Sequence, residues 1–303
     1  MKYVVTGGCG FIGSHLVDRL LGLGHDVVVV DDLSTNKGRG VNPAATLVEG
    51  SVTDLDLVTS ATEGADCVFH TAAWARVPRS IDDPVGTHEV NVNGTLNVLQ
   101  AARENGVGRV VYSSSSSVYG NQNTHVMCED MTPNPRSPYA LQKLIGERYG
   151  SMFARLFGMR VVSLRYFNVY GPGQTTKGAY VLVIPRFLKL RDEGKPLTIY
   201  GDGQQTRSYT HVFDVVRANV LAASADLPSG ENTVLNIGPN EETSVNKIAE
   251  MIGGEVEHIY PNPRGEFEEL RKSPDCSKAK AVIGWEPKVV LSEGIGAFLR
   301  SER

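Results

Sequence analysis

Tyr139 and Lys143 stand four residues apart in the run Tyr139-Ala140-Leu141-Gln142-Lys143, a step that sets a phenol and an ammonium on one face of a helix. A nearby positive charge favours phenolate over phenol. A tyrosine so placed can remove a hydroxyl proton near neutral pH, which an ordinary tyrosine with a pKa of about 10 cannot do. Hydride transfer from an alcohol needs such a base. On spacing alone a surface helix pair satisfies the same residues, so the pair takes its meaning from what surrounds it. Five consecutive serines, Ser113 to Ser117, lie upstream. As residues they fit a small-residue strand end or loop as readily as a hydroxyl site.

The elements that must position this pair begin at the start of the chain. Lys2 to Thr6 reads as a buried strand, Gly7, Gly8, Gly10 and Gly13 follow, and a helical pattern runs from Phe11 to Leu23. Bare backbone at such a turn lets a pyrophosphate approach the amides of the helix N-terminus. A second strand, Asp26 to Val30, ends at Asp31, 18 residues beyond Gly13. That is where a carboxylate accepts hydrogen bonds from an adenosine ribose. The same charge repels a 2′-phosphate, so NAD is expected rather than NADP.

Strand and helix signals then alternate: Cys67 to His70 as strand, Asn91 to Asn105 as helix, Arg109 to Ser113 as strand, Tyr139 to Phe157 as helix, Arg160 to Tyr166 as strand. Alternation of this kind predicts an α/β fold, a doubly wound parallel sheet with ligands beyond the carboxyl ends of its strands. After Gly171 the pattern loosens into Gly- and Pro-rich loops around helices at Pro185 to Asp192, His211 to Ala223 and Val245 to Ile252. The expected division is a cofactor domain over 1–170, with a returning segment near 205–240, and a smaller interleaved substrate domain over 171–303.

Composition narrows the function classes. The chain has 303 residues, 41% hydrophobic and 21% charged, with a formal net charge of −4 and no basic run. Nothing there marks a nucleic-acid or anionic-membrane surface. Cys9, Cys67, Cys128 and Cys276 are far apart and form no Cys-x-x-Cys pair, so neither a metal site nor a disulfide framework is expected. A strand at residue 2 leaves no space for a leader ahead of it, and no apolar stretch reaches spanning length. A cytoplasmic enzyme is expected.

With these residues in hand, the chain resembles the extended short-chain dehydrogenase/reductase superfamily, in its NAD-dependent nucleotide-sugar epimerase and dehydratase branch. Within that branch it is most similar to the UDP-glucose 4-epimerases. The stretches that carry the likeness run the length of the chain. They include Thr6-Gly-Gly-Cys-Gly-Phe-Ile-Gly-Ser14, His70-Thr-Ala-Ala73, Val77-Pro-Arg-Ser80, Asn91-Val-Asn-Gly-Thr95, Ser113 to Gly120, Arg165-Tyr-Phe-Asn-Val-Tyr-Gly-Pro172, Ile199-Tyr-Gly-Asp-Gly203 and Gly284-Trp-Glu-Pro287.

The resemblance implies a Rossmann-type cofactor domain, a tightly held NAD that is reduced and reoxidised in each turnover, a UDP-sugar substrate and a homodimer built on Asp83 to Asn105 and Tyr139 to Phe157. It implies Ser115, Tyr139 and Lys143 as the catalytic set. It assigns Gly7, Gly10, Phe11, Ile12, Gly13, Asp31, Ser51, Val52, His70, Ala72, Ala73, Asn91, Ser113 and Tyr166 to the cofactor. To the nucleotide sugar it assigns Asn168, Val183, Tyr200, Arg207, Arg264 and Glu266, with Tyr200 beside the base and the two arginines at the diphosphate. Read only as residues, Arg207 and Arg264 also fit ordinary surface arginines. Ser51 replaces the acid that many relatives place there, so the contact to adenine falls to a hydroxyl.

Relatives with neighbouring activities differ at two positions. A 4,6-dehydratase needs an Asp-Glu pair directly after the catalytic hydroxyl, where Ser116 and Ser117 stand, and a UDP-glucuronate decarboxylase is expected to carry Glu at 117. UDP-N-acetylglucosamine remains an alternative substrate, and a catalytically idle NAD-binding module an alternative class.

Overall fold

A run such as Val27-Val28-Val29-Val30 is apolar on both faces, and a strand covered by helices on each side is what buries it. The computed structural model describes residues 1–34, 40–175, 182–261 and 271–301. Seven parallel strands form its main sheet, in spatial order Asn232–Ile237, Val161–Tyr166, Arg109–Ser115, Cys67–His70, Lys2–Thr6, Asp26–Asp31 and Thr46–Glu49. Chain order reverses between Lys2–Thr6 and Cys67–His70, where Thr6 pairs with His70. A crevice opens at such a reversal, beyond the carboxyl ends of the strands. The doubly wound parallel sheet expected from the alternation is therefore present.

Two strands had no clear signal in the sequence. Thr46–Glu49 is a short edge strand with mostly exposed residues, and Asn232–Ile237 closes the other edge from far along the chain. The helix expected over Asn91 to Asn105 is also built differently. Glu89–Asn93 forms one π-helical turn, and the α-helix proper spans Gly94–Glu104. Asn91 lies buried within this widened turn.

The long helix Pro138–Phe157 has clear local causes. Ser137 caps it by accepting from the Ala140 N–H, Pro138 opens its first turn, and Gly158 ends it with φ 69°, in the left-handed region where a Cβ is strained. Each face of the sheet is covered. Leu16, Val17, Leu20, Val215, Ala218 and Ala222 pack on one side, and Val58, Val98, Leu99, Ala102, Phe153 and Ala154 on the other. Each fully buried Val or Leu contributes roughly 1.5–3 kcal/mol.

A separate core of Ile184, Phe187, Leu188, Leu197, Ile199, Ile248 and Phe298 holds the other region. It surrounds a two-stranded parallel pair, Leu197–Tyr200 with Val256–Ile259. The C-terminal segment does not belong wholly to that core. Cys276, Ala279, Ile283 and Trp285 pack into the main sheet's own core, where the Trp285 indole N–H donates to the Asp214 carbonyl at 2.9 Å.

Candidate active site

The glycine turn is tight because backbone meets backbone. A Cβ on Gly13 would sit 2.1 Å from the Gly7 carbonyl oxygen, and one on Gly7, at φ 70°, would sit 2.6 Å from the Ala72 backbone. Gly10 then stands at the N-cap of the helix Phe11–Gly22 with no side chain to cap it, and no acid lies in the first turn of Phe11, Ile12 and Gly13. Among the described residues no side chain caps the positive end of this helix, which fits a pyrophosphate.

Asp31 lies at the adjacent strand end, where its carboxylate accepts from the Cys9 N–H and the Leu33 N–H, both at 2.9 Å. The Cys9 thiol bonds the same carboxylate, which keeps lone-pair capacity for one more hydroxyl. Burial raises the Asp31 pKa. Gly50 N–H donates to the Asp31 carbonyl, which brings Ser51 and Val52 alongside. The Ser51 hydroxyl accepts from the Thr53 N–H and hydroxyl, while Val52 is buried against Gly94.

At the reversal point the two histidine nitrogens of His70 are spent on the Thr6 and Thr95 hydroxyls, at 2.7 and 2.9 Å, and burial lowers its pKa to about 3. This is a neutral core imidazole. Ala72 and Ala73, which follow it, are half-buried at the crevice beside the glycine turn. Asn91 is likewise used by its own chain. Its carbonyl oxygen accepts from the Trp74 N–H at 2.8 Å, and its amide donates to Gln142 at 2.8 Å and to the Trp74 carbonyl. It ties the loop after the Cys67–His70 strand to the long helix.

Ser115 ends the central strand Arg109–Ser115, and Tyr139 and Lys143 occupy the first turns of the long helix next to it. Lys143 donates to the Ser113 carbonyl at 2.8 Å and lies 4.9 Å above the Tyr112 ring. The Ser113 hydroxyl shares a 3.1 Å bond with Tyr166, whose oxygen also meets Asn219.

One electrostatic expectation fails. Tyr139 is not pulled down by Lys143: burial pushes it up to about 12, and a hydrogen bond from Ser115 is what lowers it. Burial also pulls Lys143 down to about 7, partly opposed by the Glu147 charge. Burial dominates both groups, so the chain by itself holds Tyr139 as a neutral phenol.

Asn168, Val183, Tyr200 and Arg207, four of the residues expected at the nucleotide sugar, line one cavity of about 150 Å³, which Ser115 and Tyr139 do not line. Asn168 has φ 31°, an uncommon backbone for a residue other than glycine, and its amide is fixed on the Ser208 carbonyl at 2.9 Å. Arg264 and Glu266 lie outside the described residues. Two groups were missed from sequence: Arg186, whose guanidinium lies 4.8 Å from the centre of the Tyr200 ring, and Trp74, stacked beneath Arg79 at 3.4 Å. Both carry no motif, and only the folded contact reveals them. Among the described residues no cluster of His, Cys, Asp and Glu could hold a metal.

Comparison with known proteins agrees with this geometry. A UDP-glucose 4-epimerase of Mycolicibacterium smegmatis is 40% identical over 307 residues, covering 97% of this chain and 96% of that protein. The crystal structure of UDP-glucose 4-epimerase with UDP-glucose from Thermotoga maritima superposes with a TM-score of 0.93 at 37% identity, covering 100% of this chain and 98% of that one. UDP-N-acetylglucosamine 4-epimerase from Methanobrevibacter ruminantium, in complex with UDP-N-acetylmuramic acid, also gives 0.93, at 32% identity over 99% of this chain and 97% of that one. Residues 3–238 match the NAD dependent epimerase/dehydratase family, and with the glycine turn, Asp31 and the Tyr139–Lys143 pair in place the chain belongs to that family.

Proposed function

We propose that the chain interconverts the C4 epimers of a UDP-hexose, UDP-glucose and UDP-galactose, through a 4-keto sugar. The observation that supports this reading is the presence of two groups of side chains. Ser115, Tyr139 and Lys143 stand at the carboxyl end of the sheet, while Asn168, Val183, Tyr200 and Arg207 line a cavity suited to a nucleotide. When bound, NAD supplies the hydride acceptor and donor and a positive charge near Tyr139. The glycine turn would hold its pyrophosphate, Asp31 and Ser51 its adenosine, and Lys143 with Tyr166 its nicotinamide end.

Tyr139 then moves the proton at the sugar 4-oxygen, and Ser115 holds that oxygen by a hydrogen bond. Arg207 suits the diphosphate, Tyr200 the base. A firm grip on the nucleotide with few contacts to the sugar allows the keto sugar to turn its other face. Ser116 and Ser117, in place of an acid pair or a glutamate, favour epimerisation over dehydration and decarboxylation.

A second substrate has a specific observation behind it. The N-acetylglucosamine 4-epimerase matches as closely in shape as the glucose enzyme, with the same TM-score of 0.93. Incubation with UDP-galactose, UDP-N-acetylglucosamine and UDP-glucuronate, followed by separation of products, decides between them. Turnover of none would leave an NAD-binding module.

The chain is further inferred to act as a cytoplasmic homodimer, with residues 1–170 and about 205–240 holding the cofactor and 171–303 the nucleotide sugar. Leu141, Met152 and Leu156 expose apolar side chains along one line of the long helix, at 48%, 44% and 61%, which supports pairing there. Sedimentation at micromolar concentration tests it. Among the described residues no helix is long and apolar enough to cross a membrane.

A further inference from the structure

A serine hydroxyl has one proton and two lone pairs, so the bonds of Ser115 can be counted. Its Oγ accepts from the Ser117 backbone N–H at 3.1 Å and from the Ser117 hydroxyl at 2.9 Å. Both lone pairs are then engaged. The one remaining direction is donation, and Tyr139, whose pKa Ser115 lowers against the effect of burial, is the acceptor that this count leaves for it. We propose that Ser117 is a positioning residue, whose hydroxyl occupies a lone pair of Ser115 from behind and turns its one proton toward the Tyr139 oxygen, to be shared with the substrate oxygen beside it when the sugar is bound.

Direction matters because the two orientations favour opposite states of Tyr139. As donor, Ser115 stabilises the phenolate; as acceptor, it stabilises the neutral phenol. With the Ser117 hydroxyl gone, one lone pair of Ser115 is released and the hydroxyl can rotate to accept from Tyr139. The turn that carries Ser117 is held independently. Val118 and Tyr119 are fully buried, and the Tyr119 hydroxyl donates to Asn236 at 2.7 Å. Ser117→Ala therefore removes one bond and leaves the turn standing. Among the described residues, Lys143 on its own helix and Tyr112 on the neighbouring strand lie beside Tyr139, the helix Val77–Asp82 with Arg79 and Asp82 meets it through Ser80, and none of these bonds to Ser117.

The inference rests on Tyr139 as the base, and its test has two readouts. In the first, the acid limb of kcat/KM for the UDP-hexose is compared among wild type, Ser117→Ala and Ser117→Thr. Ser117→Ala should move that limb up by about half to one pH unit, on the scale of one hydrogen bond, with NAD content unchanged. Ser117→Thr, which keeps the hydroxyl, should restore it. In the second, the phenolate absorbance of Tyr139 is titrated in the holoprotein as a difference from Tyr139→Phe, with and without Ser117→Ala. A limb and a phenolate titration both unmoved by Ser117→Ala overturn the inference, as does an equal shift in Ser117→Thr. Wild type that turns over no UDP-sugar defeats the proposed function instead, and the absorbance titration still decides the role of Ser117.

Discussion

Lys143 and Arg165 are equally buried cations, each 3% exposed, set beside the same strand, yet their surroundings differ. Arg165 grips Glu147 with two bonds, at 2.9 and 2.7 Å, and Ser114 donates to the same carboxylate at 2.5 Å. The pairing raises the Arg165 pKa. Lys143, one helical turn before Glu147, has a carbonyl for a partner and falls to about 7. An ammonium has three donors, and here one is used. Arg165 too keeps one buried nitrogen without a partner, so the ion pair is the difference: a buried charge paired within the chain is scaffold, and one with no ion pair beside a crevice is placed for a ligand.

Breaking the scaffold pair should give the largest effect. Arg165→Met strands a buried carboxylate and should cost about 3–5 kcal/mol in urea unfolding, with partial recovery when Glu147→Gln is added. A melt like that of wild type would remove the distinction between the two cations. Next comes Tyr139→Phe, which should keep the fold and the NAD content while lowering turnover at least about a hundredfold. Retained turnover would move the base elsewhere.

Lys143→Met sharpens the contrast through pH. The folded pKa of about 7 lies below the ordinary lysine value, so below pH 7 the charge is present in both states and its burial weakens the fold. Between about 7 and 10.4 the unfolded chain holds a proton that the folded chain has released, so stability rises with pH through that window. In protein stripped of nucleotide, Lys143→Met should be the more stable at pH 6, with the gap closing as pH rises. A gap independent of pH contradicts the buried, unpaired ammonium. The smallest effect is expected at Ser114→Ala, about 1 kcal/mol of stability with the pH profile of turnover unchanged. The adjacent Ser115→Ala should do the reverse, slowing turnover with little change in the melt.

The parts of this arrangement that were legible in the sequence are those whose chemistry is local in the chain. The glycine turn, Asp31 and the Tyr139–Lys143 step each need only a short window and a known element. The Glu147–Arg165 pair joins two elements, and the hold of Asn91 on Gln142 spans 51 positions, so neither has a spacing to read. Edge strands such as Thr46–Glu49 carry little apolar pattern because they bury little. The expected lowering of Tyr139 by Lys143 failed for a reason no linear pattern contains, the burial of both groups together. Ser117 was legible in the sequence as a position lacking an acid, but its bond to Ser115 shows only in the folded turn.

The most direct test of the central claim follows one atom. UDP-galactose carrying deuterium at C4 is incubated with the holoprotein, and the product is separated and analysed for label. Epimerisation at C4 by a cofactor that stays bound predicts UDP-glucose with deuterium still at C4 and none lost to solvent, and no product from Tyr139→Phe on the same timescale. Product that has lost the label to water, or no conversion of any UDP-hexose by the wild-type protein, would contradict it.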